Sequence, residues 1–164
     1  MSGPAIPLDE FDYEMGVTRR VIERVPSERG EWKPHEKSFS LGHLTQLVAS
    51  MPGWITNALR EPHLDLAAMP GYSYETTEHL LQEFDRHVLE AREALQDVTG
   101  ERLGEPWTLR MGDRTLFSMA KGPVVRQDLS HLCHHRGQLT VYLRMLDVPV
   151  PSIYGPTADE PWGS

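Results

Sequence analysis

Residues 131–144 read HLCHHRGQLTVYLR and hold three of the eight histidines, together with the single cysteine, within five positions. Their apolar residues recur at helical spacing, so the stretch predicts part of a long helix. In such a helix His131 and His135 lie four residues apart on one face, about 6 Å from each other, with Cys133 and His134 rotated away. Two imidazoles aimed at one point suit a metal ion.

The apolar spacing predicts four helices along the chain. They span about residues 8–25, 40–60, 74–98 and 123–146. Pro26 and Gly100 are expected to end the first and third helices, and Ser40 is the expected N-cap of the second. Residues 107–117, WTLRMGDRTLF, alternate apolar and polar side chains, which predicts a short hairpin or extended crossover before the last helix. We therefore expect an all-α four-helix bundle, in one domain spanning residues 1–164.

The composition excludes several classes of partner. The net charge of −8 and the pI near 5.4 oppose binding to a nucleic acid, because that binding requires clustered Lys and Arg. No secretory leader and no apolar run of about 18 residues is visible, so no membrane association is expected. A lone cysteine, Cys133, cannot form an internal disulfide. These features predict a cytoplasmic protein.

The histidine spacing has two interpretations. Histidines four apart arise often by chance among eight, and a core histidine satisfied by hydrogen bonds explains them without a metal. His43 lies near the start of the second helix, in SLGHLTQLV. If the second and last helices are neighbours, His43 completes a three-histidine set with one coordination position open, as in catalytic zinc sites.

Three polar residues lie at helical spacing from these histidines. Gln46 follows His43 by three positions, and Gln138 and Tyr142 follow His135 by three and seven. Each is a candidate substrate contact, whereas a core position for Tyr142 and an interhelical hydrogen bond for Gln138 are the structural alternatives.

Two longer motifs resemble the DinB/YfiT-like superfamily. They are HHRGQLTVYLRMLDVPVPSIYGPTADE at residues 134–160 and WKPHEKSFSLGHLTQLVASMPGW at residues 32–54. The resemblance implies an up-down-down-up four-helix bundle, often a homodimer, with one divalent metal on His43, His131 and His135. Zinc or nickel is the implied ion, with iron or manganese as alternatives. Relatives commonly carry Gly where this chain has Asp147, so the turn at the end of the last helix departs from the pattern.

The implied function is that of a metal-dependent enzyme. Some relatives join a low-molecular-weight thiol to an electrophile, and others isomerise small acids with a thiol cofactor. We therefore expect a thiol-dependent S-transferase, or a related hydrolase or isomerase, acting on a small electrophilic molecule. The alternative is a non-catalytic metal-binding stress-response module. A ferritin-like di-iron protein is disfavoured, because it needs Glu-x-x-His motifs and the sequence has none.

The residues beside the histidine pair predict structural roles. Arg136 is turned about 100° from His135 on the helix, which favours a salt bridge to another helix or subunit. Cys133 is expected to be a buried small hydrophobe rather than a nucleophile.

Overall fold

The computed structural model describes residues 6–162 and contains, within them, ten helices, strands and 3-10 turns. The helices are α1 Leu8–Glu23, α2 Leu41–Arg60, α3 Thr77–Asp97, α4 Gly100–Gly104 and α5 Lys121–Met145. The strands are β1 His63–Asp65, β2 Pro106–Met111 and β3 Arg114–Ala120, and 3-10 turns occupy Ser27–Arg29 and Leu66–Ala68. The two ends of the predicted domain, residues 1–5 and 163–164, lie outside the described residues.

Side-chain caps fix where two of the long helices begin. The Ser40 hydroxyl accepts the backbone N–H of His43 at 3.2 Å, which confirms the predicted cap of α2. The Thr76 hydroxyl accepts the N–H of His79 at 3.1 Å at the start of α3. Each cap satisfies one backbone donor that the first turn leaves unpaired. The cap at Ser40 therefore sets His43 in the first turn of α2.

The four long helices enclose a large hydrophobic cluster and a smaller one. Helix α2 packs against α3 and α5, and α1 packs against the same two helices. Fully buried side chains that fill the space between them include Phe11, Ile22, Ile55, Phe84 and Leu132. The predicted second and last helices are thus neighbours, as a site shared by His43 and the α5 histidines requires.

A three-stranded mixed sheet makes the all-α prediction wrong. Strands β2 and β3 form an antiparallel hairpin around Gly112, whose φ is +57°, and this hairpin was predicted. Strand β1 pairs with β2 in parallel, with His63 opposite Thr108, and lies outside the predicted helices and hairpin. Three residues that pair with a strand more than forty positions away leave no local periodicity to detect.

A short helix follows α3, where the sequence predicted only an end. Val98 leaves the helical conformation before Gly100, and the Thr99 hydroxyl then caps α4 by accepting the N–H of Arg102 at 3.2 Å. Gly100 therefore opens the next helix instead of closing the previous one.

Within residues 6–162, no helix has a stretch long and apolar enough to cross a bilayer.

The last helix ends in a hydrogen-bonded turn. The N–H of Val148 reaches the carbonyl of Leu143 at 3.0 Å, and that of Asp147 reaches Arg144 at 3.1 Å. These two bonds form a Schellman motif, which needs a left-handed residue after the helix. Asp147 takes that conformation, with φ of +58°.

Candidate metal centre and adjoining cavity

His131 and His135 converge on α5. Their Nε2 atoms lie 2.9 Å apart, and their ring centroids are 4.6 Å apart. Two nitrogens bound to one ion at about 2.0–2.1 Å each and at a right angle would lie about 2.9 Å apart. The pair therefore fits two adjacent positions around a divalent metal.

The surroundings of the pair favour neutral imidazoles. Burial lowers the pKa of His131, and the neighbouring His135 and His134 lower it further. Burial also lowers the pKa of His135, against a hydrogen bond to Gln138 that raises it. Neutral imidazole is the form that binds a metal.

Gln138 orients the second ring. Its amide oxygen lies 2.7 Å from Nδ1 of His135. Since an amide oxygen only accepts, Nδ1 carries the proton and Nε2 presents its lone pair toward His131. A hydrogen bond of this kind commonly fixes the tautomer of a metal-bound histidine.

His43 lies in a neighbouring cleft. Its ring packs between Phe39 and Tyr72, with centroid separations of 4.4 Å and 4.9 Å. Within residues 6–162 no three or more His, Cys, Asp or Glu side chains are grouped closely enough to hold one ion. The structure thus brings together two of the predicted ligands, and the three-histidine set stays a prediction.

The other predicted site residues lie around these clefts. Gln46 lines the His43 cleft, where its side chain accepts the N–H of Ser73 at 2.9 Å. Tyr142 lines a second cleft with His135 and Gln138, and its hydroxyl donates to the carbonyl of Phe39 at 3.3 Å. Gln46, Gln138 and Tyr142 are therefore close to the predicted ligands, and each already bonds to a protein group.

An apolar cavity of about 280 Å³ opens beside His131. It lies between α2, α5 and the sheet. Its walls carry the side chains of Trp54, Leu64, Leu66, Trp107, Leu109, Phe117, Val124, Gln127, Asp128 and His131. Trp54 also lines the His43 cleft, so its indole forms a wall shared by both.

Asp128 is the site residue that sequence reasoning missed. It lies one helical turn before His131 and is half-buried in the cavity wall. Burial raises the pKa of its carboxyl group to about 7. The sequence shows only an acidic residue on an amphipathic helix, which is normally solvated, and the strands that bury it are distant in the chain.

A sequence model of the DinB family matches residues 7–162. The chain belongs to the DinB family. An uncharacterized protein of Bacillus subtilis (strain 168), YrdA, is 22% identical over 157 residues, which are 93% of this chain and 89% of that protein.

Solved DinB-like structures have a similar fold. A DinB-like protein from Bacillus subtilis superposes with a TM-score of 0.68 at 20% identity, over 89% of this chain and 95% of its own. A mycothiol-dependent maleylpyruvate isomerase superposes with a TM-score of 0.55 at 11% identity, over 82% of this chain and 61% of its own. At such identities the likeness shows a shared fold and leaves the reaction open.

Proposed function

We propose that this DinB-family chain is a divalent-metal-dependent enzyme that joins a low-molecular-weight thiol to a small electrophile, or performs a related hydrolysis or isomerisation. The observation that carries the proposal is the convergence of His131 and His135, 2.9 Å apart at Nε2, beside an apolar cavity. A thiol-dependent enzyme among the structures of similar fold supports the choice of a thiol.

The proposed ligands are His131 and His135 on α5 and His43 on α2. When bound, zinc or nickel, with iron or manganese as alternatives, would lower the pKa of a coordinated thiol or water. The chain itself supplies the orientation of a ligand and an apolar wall. Gln138 holds the His135 ring, while Trp54 and Trp107 contribute aromatic surface to the cavity lining.

Three further residues are proposed to contact the substrate from the two clefts beside the histidines: Gln46, Gln138 and Tyr142. Their present hydrogen bonds to Ser73, His135 and Phe39 hold the cleft walls. We propose that they position these walls around a substrate.

A non-catalytic metal-binding module is the competing proposal. A purely structural zinc site is closed by four protein ligands, whereas a catalytic one keeps an open position. His131 is partly exposed to solvent and borders a cavity, which favours the enzyme. The resemblance further leads us to propose a homodimer that acts in the cytoplasm.

Thiol transfer to a generic electrophile tests the enzyme directly. Protein prepared without a nickel column is assayed with glutathione, cysteine, bacillithiol and mycothiol against monochlorobimane, before and after removal of metal. The expected result is turnover with at least one thiol that chelation abolishes and added metal restores. His135→Ala should lose it and His79→Ala, at an exposed position on α3, should retain it. No metal-dependent turnover with any of these thiols would contradict thiol transfer.

A further inference from the structure

The wall of the cavity beside His131 is mostly apolar and includes one acidic residue, Asp128. Most of its lining is aromatic or aliphatic, and the lining residues include no Lys or Arg in the part of the chain that the structure describes. Asp128 is the acidic member of the lining. An anionic ligand would therefore enter an apolar space without a countercharge and beside a carboxyl group, which is unfavourable on both counts.

The Asp128 carboxyl group is available to a ligand. Within residues 6–162 no side chain forms an ion pair or a hydrogen bond with it. A half-buried carboxyl group without a partner keeps an unfilled capacity to bind a donor or a cation. Because Asp128 and His131 lie three residues apart on α5 and line the same cavity, a molecule that contacts Asp128 also lies beside His131.

The size of the cavity limits the apolar part of the ligand. A dry cavity of roughly 150 Å³ lined by aliphatic and aromatic side chains accommodates benzene. A volume of about 280 Å³ therefore suits a body of about two fused rings. Trp107 and Phe117, with ring centroids 6.1 Å apart, provide aromatic surface on the sheet side of this space.

We propose that the cavity binds an uncharged or cationic molecule with an apolar body of about two rings, that Asp128 receives its polar group, and that carboxylic acids are excluded. This rests on the proposed function only in that it treats the cavity as the substrate end of the same site. It predicts that the substrate of this chain is not a small acid, the class of substrate that some relatives isomerise.

Three probes of one shape test the charge preference. They are 1-naphthylmethylamine, 1-naphthalenemethanol and 1-naphthoate, titrated by calorimetry at about pH 8. The expected order of affinity is amine, then alcohol, then acid, with the amine about tenfold or more tighter than the acid. Asp128→Asn should reduce this ratio to about threefold or less, whereas Asp113→Asn in the exposed hairpin turn should leave it unchanged.

A second pair of variants tests the location. Leu66→Trp, on the cavity wall, should weaken all binding about tenfold or more, whereas Leu116→Trp, at a β3 residue that is 40% exposed, should not. Circular dichroism checks that each variant is folded. The proposal is overturned if no probe binds, if the acid binds as tightly as the amine, or if Asp128→Asn keeps the full ratio.

His135→Ala distinguishes failure of this proposal from failure of the proposed function. His135 is not among the residues that line the cavity. If the order of affinity persists in this variant, and the unmodified protein shows no thiol transfer, the cavity assignment stands and the proposed function fails. If thiol transfer occurs but the expected order of affinity is absent, the proposed function stands and the cavity assignment fails.

Discussion

Arg136 on α5 and Glu14 on α1 form an ion pair in the protein interior, with Nη1 2.6 Å from Oε2. The Tyr154 hydroxyl joins them, 2.6 Å from Nη2 of Arg136 and 2.8 Å from Oε1 of Glu14. This confirms the predicted salt bridge of Arg136 and explains how the chain after α5 is held on α1. It also corrects the expectation for Cys133, whose thiol is half-buried and lies 3.4 Å from Oε2 of Glu14 in this polar cluster.

Arg136→Ala should strongly destabilise the protein. Arg136 is 1% exposed, and its removal leaves the buried Glu14 carboxylate without a countercharge, at a cost of about 3–5 kcal/mol. Urea denaturation measures the free energy of unfolding. Arg114→Ala, on the exposed start of β3, is the control and should cost about 0.5 kcal/mol or less. Equal stability of the two variants would show that the ion pair is not needed.

Asp147→Gly should stabilise the protein by about 0.5–1 kcal/mol. Asp147 has a φ of +58° in the turn that ends α5, a conformation that glycine adopts without steric cost. Thermal denaturation measures the gain. Asp113→Gly gives a matched Asp-to-Gly change in the exposed hairpin turn. A loss of stability specific to position 147 would indicate that the aspartate side chain contributes something the turn geometry does not show.

Stability should depend on pH through Asp128. Burial raises the pKa of this carboxyl group from 3.8 to about 7 in the folded protein, so the folded state binds the proton more tightly than the unfolded state. Its contribution to the free energy of unfolding therefore decreases as the pH rises from about 4 to about 7 and is constant above that range. Asp128→Asn should remove this decrease, so the free energy of unfolding of the variant relative to the unmodified protein should rise by about 4 kcal/mol from pH 4 to pH 8.

Urea denaturation of both proteins across that pH range measures the difference. The two proteins differ only at position 128, so the difference between their stabilities reports on this position. A constant difference between Asp128→Asn and the unmodified protein at every pH would show that the Asp128 carboxyl group has an ordinary pKa.

Gln138→Ala should weaken metal binding. The Gln138 amide oxygen lies 2.7 Å from Nδ1 of His135 and fixes the tautomer that presents Nε2. Loss of such a supporting bond typically lowers metal affinity about 10–100-fold. Competition with a chromophoric zinc chelator measures the dissociation constant, and Gln82→Ala, on the exposed face of α3, is the control. Unchanged affinity in Gln138→Ala would argue against His135 as a ligand.

The sequence predicted the parts of the fold that local patterns determine. The long helices and the β2–β3 hairpin follow from apolar spacing, caps and a Gly-containing turn. Strand β1 was not predicted, because its pairing with β2 connects residues that are distant in the sequence. The cavity was not predicted either, because the pairing of β1 with β2 brings Leu64 and Leu109 to its wall.

In the candidate site too, only the features set by local helical spacing could be predicted from the sequence. The convergence of His131 and His135 follows from helical geometry alone, and the structure contains it. The position of the His43 ring depends on how Phe39 and Tyr72 pack around it, which helical spacing does not determine. The role of Asp128 depends on burial by strands far away in the chain.

Metal content measured by mass spectrometry, on protein prepared without a nickel column, tests the proposed metal centre most directly. We expect about one divalent ion per chain in the unmodified protein and in His79→Ala, and its loss in His131→Ala and in His135→Ala. Retention of one bound ion in both of those variants would contradict it.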